Sequence, residues 1–133
     1  MKYLLDSDTL SQIARGRHAG VVQRAGQHST ADMAVSVITV GELRYGFALS
    51  GAASKLQVRT EALLEGMACL SVDNLVAAEY GTLRAYLQRR GQPIGPNDQW
   101  IAAHALAAGL TLVTGNTREF MRVPGLKVEN WLR

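Results

Sequence analysis

Cysteine is nearly absent from this chain: Cys69 stands alone among 133 residues, with three histidines. A single thiol excludes an internal disulfide, and neither residue type is spaced as a zinc cage requires. Cys69 lies in the apolar stretch "MACLSV" and is expected to be a buried core thiol rather than a nucleophile. No uninterrupted apolar run is long enough to span a bilayer, and an acid at position 6 comes too early for a secretory leader. A soluble cytoplasmic protein with no membrane partner is the expectation. Linkers, low-complexity tracts and internal repeats are also lacking. So are the Walker phosphate loop, the dinucleotide-binding glycine pattern (which Gly16 to Gly20 does not supply), HExxH, GxSxG and any Ser-His-Asp order. Those absences remove the common nucleotide-binding, zinc-protease and serine-hydrolase readings.

Hydrophobic residues make up 47% of the chain. A domain of this size buries roughly two-thirds of its unfolded surface, so residues 1–133 read as one folded domain. Fourteen Lys and Arg against eleven Asp and Glu give a formal charge of +3, which permits an anionic partner without proving one. Strands and helices alternate. Lys2 to Leu5 reads as a strand, followed by a short helix capped by Asp8 or Thr9 and closing near "GRHAG". Val21 to His28 is a further short helix. Met33 to Ile38 is apolar and β-branched, a second strand; from Thr39 the period changes, and Val40, Leu43 and Phe47 share a helical face. Leu56, Leu63 and Leu64 continue a helical pattern. "ACLSV" is the third strand, Leu75 to Arg90 a helix with Val76, Tyr80, Leu83 and Leu87 inward, Asp98 to Ala108 another helix ending at Gly109, and "LTLVT" the fourth strand. A small edge strand closes the pattern near the C-terminus. The fold class expected is α/β: a three-layer α/β/α sandwich around a mainly parallel central sheet.

In such sheets ligands bind beyond the carboxyl ends of the strands, so the acids found there carry the functional argument. Asp6 directly follows the first strand; it either ties the turn into the next helix or binds a metal. Asp8 beside it reads as a cap. Thr39 and Glu42 have capping-box spacing, which still leaves Glu42 near the end of the second strand. Asp98 opens a helix, where the dipole favours an acid by roughly 0.3–1 kcal/mol. Asn116 and Glu119 follow the fourth strand, again with capping-box spacing. Each has a structural reading alone. Gathered at one edge they would repel, by on the order of 4 kcal/mol as a raw Coulomb term for a pair at ~4 Å and an effective dielectric of ~20. A divalent cation reverses that sign, and an all-oxygen donor set suits Mg²⁺, with Mn²⁺ as substitute. Such an ion can activate water against a phosphodiester. Thr114 and Ser7 carry hydroxyls at strand ends that can orient an acid or a water. Arg15, Arg17, Arg44 and Arg118 are candidate phosphate contacts, with Arg84, Arg89, Arg90 and Arg122 as further basic residues, though each is also an ordinary solvated charge. His104 reads as a helix-packing or surface residue, His18 and His28 carry little signal, and Trp100 reads as core packing.

The segments "YLLDSDTLS", "VSVITVGELRYG", "PIGPNDQWIAAHALAAGLTLVTGNTREF" and "VPGLKVENWL", in that order over nearly the whole chain, resemble the VapC toxins of the PIN-domain family. The resemblance implies a Mg²⁺- or Mn²⁺-dependent endoribonuclease, the toxin of a bacterial type II toxin–antitoxin pair that inhibits translation. It implies a VapB-like antitoxin covering the acidic crevice, promoter DNA bound only through that antitoxin, and a homodimer. Structured RNA is the implied substrate, with initiator tRNA a frequent target among toxins carrying such segments. Carried over by motif, Asp6, Glu42 and Asp98 are the catalytic and metal-binding acids. Asn116 stands where the family usually has Asp, so Asn116, Glu119 and Thr114 are assigned a supporting role. Hydrolysis without a covalent enzyme intermediate, leaving a 3′-hydroxyl and a 5′-phosphate, is expected. Two other readings remain open: a noncatalytic module binding a protein or nucleic acid, and a DNA-directed nuclease using the same metal chemistry.

Overall fold

Side chains alternate between faces along a strand, and this chain uses both faces. In β1 (Tyr3–Leu5), Tyr3 and Leu5 join one apolar cluster and Leu4 the other. Met33 and Val35 of β2 (Met33–Ser36) oppose Ala34 in the same way, as does Val113 against Leu112 in β4 (Thr111–Val113). A sheet apolar on both sides needs helices on both, which produces three layers. The computed structural model describes residues 1–51 and 54–132. Helices α1 (Ser7–Arg15), α2 (Ala19–Gly26), α3 (Val37–Ser50) and α4 (Lys55–Glu65) supply Leu10, Val21, Val40, Leu43 and Leu63 to one cluster. Helices α5 (Asn74–Arg89), α6 (Pro96–Ala108) and α7 (Thr117–Phe120) supply Leu83, Leu87, Ile101, Ala105 and Phe120 to the other.

With β3 (Ala68–Leu70) and β5 (Val128–Glu129) the sheet has five strands in the order β3-β2-β1-β4-β5, all pairs parallel. The chain builds outward from β1 through β2 to β3, then crosses back to the other side of β1. The order therefore reverses between β1 and β4, and the crevice of an open parallel sheet forms at that reversal, beyond the carboxyl ends of the strands. Asp6 and Thr114 are the residues that directly follow those two strands. Among the described residues, no helix is long and apolar enough to cross a membrane.

Local structure departs from the sequence expectations at several points. Asp6, not Asp8 or Thr9, caps α1: its Oδ1 accepts the Thr9 N–H at 2.9 Å. The second strand stops at Ser36 rather than Ile38, because Ser36 Oγ accepts the Ile38 N–H at 3.2 Å and starts α3 early. Thr39 is thus already inside the helix, Glu42 lies in its second turn, and no capping box joins them. Cys69 is exposed, not buried, since the apolar run around it forms an edge strand with a neighbour on one side only. Tyr80 is half-buried rather than core, its ring stacked on Trp100 at 3.7 Å between centroids and 5° between planes. Two histidines with little sequence signal have structural roles. His18 Nδ1 caps α2 by accepting the Val21 N–H at 3.2 Å, and His28 stacks on the buried Trp131 at 5.4 Å, both rings edge-on to Tyr3.

His104 is buried on α6, with Nδ1 2.8 Å from Ser36 Oγ. The serine hydroxyl accepts the Ile38 N–H and pairs as well with Nδ1 of the His104 ring, a bond that a neutral imidazole makes in either tautomer. Burial holds the imidazole below its ordinary value, consistent with that role, while the Asp73 charge pulls the other way. Ser36 therefore joins the start of α3 to the middle of α6, the two helices that carry Glu42 and Asp98. Ser36→Ala removes a cap and strands a buried ring nitrogen; it is expected to cost about 1–3 kcal/mol, read as a lowered urea midpoint with an unchanged slope.

Candidate metal and nucleic-acid site

Asp6 leaves the sheet with its backbone still paired: its N–H donates to Val113 O at 3.1 Å. This fixes the carboxylate between the ends of β1 and β4. Burial raises its pKa above the ordinary carboxylate value; the Thr114 hydroxyl, the Thr9 N–H and the Thr9 hydroxyl favour the charged form, and the Asp8 charge opposes it. Thr114 is fully buried, and its Oγ1 also accepts the Asn116 N–H at 3.0 Å, so it braces the turn leaving β4.

Glu42 arrives from α3, half-buried, its pKa raised first by burial and further by the Asp6 charge. Asn97 Nδ2 donates to its Oε2 at 3.4 Å and partly offsets that shift. Asn97 carried no weight in the sequence reading; its only signal there was its position beside Asp98 in "GPND".

Asp98 occupies the first turn of α6, a helix that Pro96 opens without any side-chain cap. Its pKa is pushed up to about 6, by burial first and then by the charges of Glu119, Glu42 and Asp6. Asp98 thus lies in the fields of three acids brought to it by other parts of the fold.

Glu119 does not close a capping box with Asn116. Its Oε1 accepts the Gly95 N–H at 2.6 Å, and its Oε2 accepts Asn116 Nδ2 at 2.6 Å. Asn116 makes no side-chain cap at the start of α7. Glu119 instead ties the turn before α6 to the turn after β4. A Cβ on Gly95 would lie 3.4 Å from Asp98 Oδ2 and 3.8 Å from Glu119 Oε1, so only a backbone of minimal bulk separates the two carboxylates.

Among the described residues, no group of three acid, imidazole or thiol side chains lies close enough together to hold one ion. The crevice offers clustered negative charge rather than a closed cage. That donor set fits Mg²⁺ or Mn²⁺, which bind through one or two carboxylates and otherwise keep water and phosphate oxygens. It suits zinc less well, whose protein sites are built mainly from histidine and cysteine.

From Glu42 the crevice continues into a groove of about 660 Å³ between α1, α3 and α4, lined by Asp8 and Arg15 and walled by Leu43, Phe47 and Leu56. Of the other arginines singled out in sequence, Arg44 is engaged with Glu61 at 3.4 Å, Arg17 is exposed between α1 and α2, and Arg118 is exposed on α7 beside Glu119.

The sequence pattern of the PIN domain family matches residues 3–126. The tRNA(fMet)-specific endonuclease VapC of Salmonella typhimurium is 37% identical over 131 residues, covering 98% of each chain. Ribonuclease VapC2 of Haemophilus influenzae is 38% identical over 132 residues, covering 99% of each. In three dimensions the chain is similar to one in the DNA-bound VapBC crystal structure from Salmonella typhimurium, with a TM-score of 0.90, 36% identity and 98% of each chain covered. The order of the strands, the acids at the sheet reversal and these full-length likenesses agree, and the chain belongs to the VapC group of the PIN-domain family.

Proposed function

We propose that this protein is a metal-dependent endoribonuclease toxin, and that Asp6, Glu42 and Asp98 are its metal-binding and catalytic acids. The observation carrying this reading is the crowding of acids at the sheet reversal, where Asp98 feels the charges of Glu119, Glu42 and Asp6. Such crowding disfavours the charged forms unless a cation joins them. The proposed substrate is structured RNA, and initiator tRNA specifically, in line with the activity named for the Salmonella relative. The protein acts as one PIN unit in the bacterial cytoplasm, as a homodimer, and a VapB-like antitoxin holds it inactive.

A bound Mg²⁺ or Mn²⁺ supplies positive charge at the phosphoryl oxygens and acidifies water. Asp6, held by the end of β1, and Asp98 would hold that ion. Glu42 orients water toward phosphorus and receives its proton. The water oxygen bonds to phosphorus, the P–O3′ bond breaks, the leaving O3′ takes up a proton from solvent, and the products are a 3′-hydroxyl and a 5′-phosphate. The Thr114 hydroxyl favours the charged form of Asp6 against burial, and the Glu119–Asn116 pair keeps the Gly95 turn, and with it Asp98, in place. Arg15, Arg17, Arg44 and Arg118 are proposed phosphate contacts. The antitoxin is proposed to place a basic segment along the groove from Glu42 to Leu56, pairing with the acids and covering Leu43 and Phe47. Promoter DNA is then bound by the antitoxin rather than by this chain.

Antitoxin-free protein is expected to cut bulk bacterial tRNA into discrete fragments with Mg²⁺ or Mn²⁺ and not with EDTA. Asp98→Asn is expected to fold and to lose at least about a hundredfold in rate, the scale of losing one general acid–base or electrostatic contribution. Wild-type rates in that variant would sink the assignment. Metal binding must displace the proton on Asp98. Mn²⁺ affinity is therefore expected to fall as pH drops through about 6 and to level off above it, a trend followed by titration calorimetry. The same raised pKa has a stability consequence without metal. A carboxyl raised above its unfolded value of 3.8 favours the fold only while protonated, and that contribution disappears as pH rises through about 6. Asp98→Asn should thus raise the melting temperature at pH 7.5 but not at pH 4; no difference at either pH would contradict the crowding. Glu119→Gln should weaken Mn²⁺ binding less than Asp98→Asn, since both Glu119 oxygens are already bonded; an equal or larger loss would show it to be a ligand.

A further inference from the structure

Besides the acidic crevice and its groove, the molecule carries a concentration of unpaired positive charge. An open pocket of about 400 Å³ lies between the end of α5 and α7, with Arg90, Arg118 and Arg122 among its lining residues and no acid. Among the described residues the one ion pair is Arg44 with Glu61, so no carboxylate neutralises these three guanidinium groups. Two of them are held in place. Arg122 Nη1 donates to Pro93 O at 3.1 Å, and the Arg90 guanidinium lies 5.3 Å from the centre of the Tyr86 ring. The anchoring leaves N–H donors free on both, and Arg118 adds a third cation from the exposed side of α7. Like charges gathered in a pocket are costly unless an anion joins them, and three arginine forks match the geometry of a phosphate.

The position of the pocket identifies the anion. Pro93 O, held by Arg122, and Gly95 N–H, held by Glu119, belong to the same turn. Arg118 and Glu119 are neighbours on α7. The basic pocket and the acidic crevice therefore share one turn and one helix, which sets them beside each other for a single polyanion to span. We propose that Arg90, Arg118 and Arg122 form a cradle for a backbone phosphate of the RNA substrate, away from the bond that is cut. The proposal rests on the ribonuclease reading for its ligand and adds a second anchoring point to it. The cradle positions RNA without chemistry of its own, so it acts on binding and not on the bond-breaking step.

The test uses binding and turnover separately. Binding of labelled bulk tRNA to Asp98→Asn protein in EDTA is measured over a range of salt. Each lost phosphate contact lowers the slope of log affinity against log salt by about 0.7–0.9. Adding Arg90→Gln, Arg118→Gln and Arg122→Gln together is expected to lower the slope by about 0.7–0.9, the loss of one neutralised phosphate, and Arg118→Gln alone by a part of that. Arg59→Gln, which removes the same charge from the exposed face of α4, is expected to leave it unchanged. Arg118→Gln guards against misfolding of the triple variant, since its side chain is exposed. In otherwise wild-type protein, Arg118→Gln should raise KM with kcat kept within about twofold, the mark of a contact equal in ground and transition states. RNA cleavage by wild-type protein with a wild-type salt slope in both arginine variants overturns the cradle and leaves the ribonuclease standing. Salt-dependent binding lost in the variants, with no cleavage by wild type, keeps the cradle and removes the nuclease. A wild-type protein that neither binds nor cuts tRNA overturns both.

Discussion

Parallel pairing of β1 with β4 is the contact on which the arrangement of the crevice depends. It brings together two segments that are far apart in sequence, and the hydrogen bonding runs past the formal strand ends. Asp6 N–H reaches Val113 O, and Thr114 N–H reaches Glu129 O at 2.9 Å. Asp6 and Thr114 are consequently held by the sheet rather than by mobile loops. Because β2 flanks β1 on the other side, α3 must start from the same edge, and Glu42 enters the crevice from there. Helix α6 leads into β4 and starts at that edge with Asp98. A change of register between β1 and β4 would turn side chains to the opposite face and separate the acids.

Electrostatics acts against this arrangement, and the surrounding contacts resist it. Burial raises the pKa values of Asp6, Glu42 and Asp98, and neighbouring charges add to it: Asp8 at Asp6, Asp6 at Glu42, and Glu119, Glu42 and Asp6 at Asp98. Opposing them are hydroxyls and amides at fixed distances: Thr114 and Thr9 at Asp6, Asn97 at Glu42. Glu119, with both oxygens bonded, holds the turn that carries Asp98. Behind these polar contacts, the buried Ser36–His104 pair locks α3 against α6. Polar groups of this kind contribute little net stability but define one geometry, because each is costly to leave unpaired. The basic pocket beside the Pro93–Gly95 turn completes the charge pattern, so negative and positive regions meet across a single short helix.

Much of this was legible residue by residue. The alternation of apolar strands and amphipathic helices gave the α/β class, and the acids after the first and fourth strands stood out by position. The motif segments carried the family. The errors share a cause. Thr39 and Glu42 have ideal capping-box spacing, yet Ser36, engaged by His104 from a helix distant in sequence, captures the cap and shifts the helix start. Asn116 and Glu119 have the same spacing, yet Glu119 finds a better donor in the Gly95 N–H. Cys69 sits in an apolar run that packs at an edge. Capping patterns describe what a segment does when its neighbours offer nothing better, and here the neighbours did.

The sequence by itself determined where most strands and helices lie, where Gly109 ends α6, and that acids follow strands, because propensity, periodicity and turn chemistry act between residues close along the chain. Only the tertiary structure decided that Asp98 lies in the fields of three other acids, that Glu119 serves the turn before Asp98, and that Arg90 joins Arg118 and Arg122. Those outcomes depend on the order in which strands pair and on the few ångströms between side chains that the chain brings together from opposite ends.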